Sequence, residues 1–278
     1  MAKAFRTPFL VSGKEPFLRR LFFEIRYREG YLYLDHCGRM LNRLFRESSE
    51  WMMGTSPNTQ GTTVFNLRAG TQFTFSSESA NLTLDKTTSE EVIEDQEAAD
   101  FLIQLDHLFG VLLDELELGG FTRIGYREQH HFSFDTKDEA ETWITQLGAF
   151  SVNQSLLKAF AGTQDAFGIA LIIVGEDCRY RIGLNGIERS AQLPFGDAVL
   201  AIKASGASTN QKKILLDRLK QKRSRQINSA FAVVLDIDAY LEDPLGQPHF
   251  GNFVMEHSKR NLERFRSAIS SETPKKGK

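Results

Sequence analysis

Cysteine is scarce in this chain: Cys37 and Cys178 are the only two in 278 residues. Two thiols with no ligand-like spacing build neither a disulfide framework nor a zinc site, so they are read as reduced structural residues of a cytoplasmic protein. Long hydrophobic runs are missing too. None approaches the roughly 18 apolar residues that a membrane helix needs, and the stretch 1–17 lacks the apolar centre of a signal sequence. No glycine-rich phosphate loop follows a strand-like run, and no nucleophile elbow occurs. Net charge is only −2, which excludes a global field that would draw nucleic acid. His130 and His131 are adjacent, so in a strand they point to opposite faces and cannot share a metal. No cofactor is expected, and the reading leans away from an enzyme.

What is abundant is phenylalanine, 22 residues, which favours an aromatic core with substantial sheet. Charge is unevenly placed. Ten acidic residues and no Lys or Arg lie between Thr87 and Thr122, whereas Gln211 to Arg225 holds seven Lys/Arg and one Asp.

Residues 17–28 alternate as a strand, with Leu21, Phe23, Ile25 and Tyr27 on one face. Asp35 is placed to cap a helix buried through Cys37, Met40, Leu41, Leu44 and Phe45. A turn-rich stretch, 54–62, leads to three short strands: TVFNLR, TQFTF and NLTLD. Thr88 and Glu91 form a capping box for a long helix that ends at Gly119-Gly120. The segment FTRIGYREQHHFSFD, 121–135, is a long strand. Thr136 and Glu139 cap the helix after it, and a further helical stretch covers 152–161. FGIALIIVG, CRYRIGL, IERS and AVLAIKA read as strands, with Asn185-Gly186 as a hairpin turn. A basic helix at about 210–224, the strand FAVVLDID and a helix at about 250–269 follow. That last helix turns Phe253, His257, Leu262, Phe265 and Ile269 inward.

This order predicts an α+β fold of two pseudo-repeated halves, residues 1–120 and 121–270, each a mostly antiparallel twisted sheet packed on a long helix, with 271–278 a disordered tail. A chain this long buries roughly three quarters of its unfolded surface and needs no metal for stability.

Three groups of residues are candidates for function. Arg123, Arg127 and His131 share one face of the 121–135 strand, where arginines four apart sit about 13 Å apart and suit an extended anionic ligand. The alternative is a solvated sheet face, or arginines paired with acids of the other half. The second group is the basic segment: Lys212, Lys213, Arg218, Lys220, Lys222, Arg223 and Arg225. It suits phosphate, or the acidic helix of another copy, and its plainer reading is a solvated helix face. The third is Asp236 and Asp238 with His257, a hard-metal set, against which stands a strand-end acid pair that caps a turn.

Three stretches carry a resemblance. GFTRIGYREQHHF resembles the Arg-Ile-Gly-Leu-Arg-Tyr strand of a sporadically distributed bacterial protein family of about this length. It departs from that pattern at Tyr126, where leucine is usual, and at Glu128, where an aromatic is usual. VVLDIDAY resembles the family's later Leu-Asp-Ile-Asp strand, and MEHSKRNLERFRSAIS its closing helix. The resemblance implies a cytoplasmic protein of two α+β halves and no activity, and the family's scatter suggests a defence or mobile-element system. The expected function is therefore a non-catalytic binding or assembly protein, acting as a homo-oligomer or with a protein partner and not at a membrane. A nucleic-acid-binding component is the alternative, and a metal-dependent nuclease or hydrolase stands behind both.

Overall fold

The computed structural model describes residues 10–48, 50–87, 91–148, 168–176, 178–188, 208–224, 231–244, 246 and 249–271. The element order is β1 (Phe17–Tyr27), α1 (Tyr33–Glu47), β2 (Trp51–Asn58), β3 (Gly61–Asn66), β4 (Thr71–Phe75), β5 (Ser79–Asp85) and α2 (Asp95–Leu116). Then come β6 (Phe121–Phe134), α3 (Lys137–Gln146), β7 (Gly168–Val174), β8 (Arg179–Glu188), α4 (Thr209–Ser224), β9 (Phe231–Glu242) and α5 (Phe250–Ser271). The protein is thus α+β. Among the described residues, nine strands form one sheet in the order β2-β3-β4-β5-β1-β6-β9-β8-β7, and every neighbouring pair is antiparallel. Strands from before and after residue 120 join in this single sheet through β1 and β6, rather than standing as two separate sheets.

Alternation decides which face is covered. Leu21, Phe23, Ile25 and Tyr27 of β1 lie on the same face as Ile124, Tyr126, Phe132 and Phe134 of β6 and Val233, Leu235 and Ile237 of β9, and all are buried. One apolar cluster joins the β1 side to α1, α2 and the start of α5. A second joins Phe132, Phe134, Val233 and Leu235 to Trp143 of α3 and to Phe265 and Ile269 of α5. Much of the phenylalanine is spent here. Phe109 of α2 meets Phe23, Phe73 and Phe250 at centroid distances of 5.0, 5.5 and 5.8 Å, edge-on in each case.

The helices α2 and α5 approach closely at Gly251. A methyl group there would lie 2.6 Å from the Asp106 carboxylate, so a larger residue requires that exposed side chain to move aside. That carboxylate sits in the first turn of α5, where negative charge is favoured. His249 just ahead accepts the Asn252 backbone N–H at 3.3 Å.

Several local expectations are corrected. Helix α2 begins at Asp95 with Glu94 and Glu97 as the capping box, later than the Thr88/Glu91 pair suggested. Helix α1 begins at Tyr33, so Asp35 lies in its first turn instead of capping it. The 54–62 stretch contributes most of a strand, β2, with a turn only between Asn58 and Gly61. Asn185-Gly186 is no turn: β8 runs straight through it, pairing Asn185 with Val234 and Gly186 with Val233, because an unbroken ladder to β9 outweighs local turn preference. Thr136 does cap α3, accepting the Glu139 N–H at 3.2 Å. The expected helix at 152–161, the strand AVLAIKA and the tail 272–278 lie outside the described residues.

Candidate interaction surfaces

The strand β6 spans 14 residues near the middle of the sheet, between β1 and β9. Its open face carries Arg123 and Arg127, and the face of β9 beside it carries Asp236 and Asp238. The residues singled out for anion binding and those singled out for metal binding therefore meet each other. Arg123 donates from Nη2 to both oxygens of Asp238, at 3.0 and 2.7 Å, and its Nε lies 3.2 Å from Glu24 of β1. Its guanidinium stacks over the Tyr240 ring, 4.1 Å from the centroid. Arg127 grips Asp236 with Nε, at 2.7 Å, and with Nη2. Forked pairing of this kind is geometrically specific and holds both partners in place.

Gly125 makes room for the first fork. A Cβ there would approach Arg123 Nη2 to 3.1 Å and the Tyr240 Cβ to 3.4 Å. The second Arg-Ile-Gly tripeptide flanks β9 from the other side, on β8, where Arg181 pairs in register with Asp238 and Gly183 with Asp236. Arg179 closes the row with an ion pair to Glu242 at 2.8 Å.

The electrostatics follow from burial and pairing. The Arg127 guanidinium is held charged even more firmly than usual, chiefly by its hydrogen bonds to Asp236. Burial pushes the Asp238 carboxyl up, and the Arg123 charge offsets only part of that. His131, expected on the same exposed face, is buried at 2% exposure, so it offers no accessible contact. His257 lies in α5, on the opposite side of the sheet from Asp236 and Asp238, beside the Tyr180 ring at 5.8 Å. Burial lowers its pKa. Among the described residues, no group of three or more His, Cys, Asp or Glu is arranged to hold a metal ion.

The basic segment is helical as expected, in α4. Lys213 is exposed and Lys212 half-buried, and the apolar Ile214 is 46% exposed. Arg218, Lys220, Lys222 and Arg223 lie on α4 with side chains outside the described set, and Arg225 lies outside the described residues. The acidic run of α2 is answered in part by its own neighbour. Arg39 and Arg43 of α1 each reach Glu115 at 3.7 Å, and Lys86 reaches Glu97 at 2.5 Å.

Sequence patterning did not reveal the outer edge of the sheet. Among the described residues, strand β7 pairs only with β8 and ends the strand order. Leu171, Ile172, Ile173 and Val174 are all exposed, Ile172 to 59% and Val174 to 71%. The apolar run was visible in the sequence, where it reads as a strand; its place at an edge was not.

No family model, no curated protein and no solved structure matches the chain. No helix among the described residues is long and apolar enough to cross a membrane.

Proposed function

We propose that this is a non-catalytic assembly protein that adds a strand at β7, and that the added strand belongs to a second copy of the same chain. The observation that carries the reading is four consecutive exposed aliphatic side chains on an unbulged strand without charge or proline that, among the described residues, lies at the edge of the sheet. Such an edge offers unpaired backbone groups and apolar side chains together, and antiparallel addition satisfies both. Self-pairing closes around a two-fold axis, and the sequence GIALIIV brings no like charges together.

The two halves share an element order, from which we infer an internal duplication. Each half opens with a strand and a helix (β1-α1, β6-α3), and its last strand pairs with its first (β5 with β1, β9 with β6). Each half then ends in a helix of 22 residues, α2 or α5. Counting outward from the β1–β6 centre, β7 corresponds to β3, which β2 covers.

The arginine face favours assembly over nucleic-acid binding, because Arg123 and Arg127 are already engaged by carboxylates. A place as a subunit in a cytoplasmic bacterial defence or mobile-element system fits an assembly role, and it rests on the family resemblance alone.

Sedimentation velocity across protein concentrations tests the reading. The expected result is a concentration-dependent dimer that Ile172→Lys converts to monomer. A monomer at every concentration, or a dimer indifferent to Ile172→Lys, overturns it. Salt-sensitive DNA binding by a monomer turns the reading toward the nucleic-acid alternative.

A further inference from the structure

The backbone of β7 restricts how a second copy can pair with it. Next to the strand, the Gly175 N–H donates to the Cys178 carbonyl at 3.0 Å, in the same register that pairs Val174 with Arg179 and Ile173 with Tyr180. Hydrogen-bonded pairs alternate along an antiparallel ladder, so Ile173, Leu171 and Ile169 turn their N–H and C=O groups toward β8. Gly168, Ala170, Ile172 and Val174 turn theirs outward, and all four are exposed.

Two copies pair antiparallel only where an outward residue meets an outward residue. Outward residues are the even-numbered ones, so the two-fold axis of a self-pairing falls on a residue of β7 and never between two. With the axis on Leu171, Gly168 meets the partner's Val174 and Ala170 meets the partner's Ile172. Every outward N–H and C=O of the strand then finds a partner. Moving the axis to Ala170 or to Ile172 leaves an outward residue of each copy unpaired, Val174 in the first case and Gly168 in the second.

The side chains favour the same register. Ala170, Ile172 and Val174 lie on the open face, level with Gly183, Arg181 and Arg179 of β8, while Ile169, Leu171 and Ile173 lie on the face shared with Ile182 and Ile237. With the axis on Leu171, the open face sets Ile172 against the partner's Ala170 and Val174 against the partner's Gly168, a large residue against a small one each time. On the other face Leu171 meets the partner's Leu171, and Ile169 meets the partner's Ile173, aliphatic against aliphatic. Directly opposed side chains are the unit of sheet stabilisation. An axis on Ile172 would instead crowd the two Ile172 side chains together. The strand GIALIIV is thus complementary to itself in one register.

We propose that two copies join with the two-fold axis on Leu171 and with β7 paired over its whole length, a geometry that rests on the assembly reading. The axis stands perpendicular to the sheet. The helices of both copies therefore lie on one side, and both rows of Arg123, Arg127, Asp236 and Asp238 lie on the other.

Disulfide cross-linking with diamide tests the register in Leu171→Cys and Ile172→Cys, with the unaltered chain as the control for the buried Cys37 and Cys178. Both substituted side chains are exposed, so neither change disturbs the core. Residues directly opposed at a non-hydrogen-bonded site lie about 4.5 Å apart at Cα, which a disulfide spans, whereas diagonal neighbours lie about 7–8 Å apart, which it does not. Leu171→Cys should therefore cross-link at least about tenfold faster than Ile172→Cys. Faster cross-linking of Ile172→Cys, or equal rates in the two variants, overturns the register while sedimentation still shows a dimer. A chain that sediments as a monomer at every concentration overturns the assembly reading and the register together.

Discussion

The two edges of the sheet are built on opposite rules. Strand β2, at one end, carries Gly54, Ser56, Pro57 and Asn58, and its register with β3 slips twice, between Met53 and Thr55 and between Thr55 and Asn58. Bulges, proline and polar residues discourage pairing with a further strand. Strand β7, at the other end, runs in unbroken register from Gly168 to Val174 and exposes aliphatic side chains on both faces. On the proposed assembly reading, the smooth apolar edge is the one that takes a further strand. The difference does not come from the setting, since both strands belong to one sheet and, among the described residues, both pair on one side only.

The largest expected effect comes from making β7 resemble β2. Ile172→Lys should weaken self-association by at least about 100-fold, equivalent to about 3 kcal/mol, because pairing would have to desolvate an ammonium. Thr55→Lys, on the exposed β2, should leave association unchanged in the same sedimentation experiment. A loss of similar size in both variants would erase the contrast between the edges.

The arginine–carboxylate ladder sharpens the contrast from inside the sheet. Asp236→Ala with Asp238→Ala leaves two half-buried guanidinium groups without their main partners. Denaturant unfolding should show a loss of about 2–3 kcal/mol, somewhat below the value for fully buried pairs. Association per folded molecule should not change, since the ladder lies two strands in from β7. The same variant exposes unpaired arginines. Salt-sensitive DNA binding that appears only there would show that the carboxylates normally suppress it.

Gly251→Ala should cost no more than about 1 kcal/mol in unfolding experiments, because the new methyl group displaces the exposed Asp106 carboxylate where α2 and α5 meet. Asp106→Ala should recover part of that loss in the double variant, and an additive result would contradict the proposed clash.

The smallest effect is a pH dependence. Burial lowers the His257 pKa below its ordinary 6.5, so the folded protein favours the neutral ring. The stability this contributes is complete above pH 6.5 and is lost as pH falls from there through the lowered folded pKa, since the unfolded chain takes up the proton first. The slope cannot exceed about 1.4 kcal/mol per pH unit for one group. Melting curves should show His257→Gln with a flatter profile below pH 6.5, and an unchanged slope would remove His257 as its source.

Much of this architecture was legible in the sequence. The alternation of β6 stands out over its full length, with Glu128 and His130 visible as interruptions of the covered face, and the apolar stripe of α2 and the Thr136 cap are local signals with local causes. Long-range pairing was not legible. Arg127 and Asp236 lie 109 residues apart, and nothing short of the strand order shows that β6 and β9 are neighbours. Asn185-Gly186 misled because a turn-forming pair tolerates an extended conformation when a neighbouring strand holds it there. The glycine, proline and asparagine of β2 read as a loop for a related reason: the residues that signal a turn are also those that guard an edge.

Amide hydrogen exchange along β7, followed across protein concentration, tests the assembly claim most directly. Every second amide of β7 points away from β8. These should exchange quickly in the dilute monomer and slow by orders of magnitude as the protein associates, while the outward amides of β2 stay fast at all concentrations. Outward β7 amides that are slow already in the monomer, or that stay fast in the associated protein, would contradict the account.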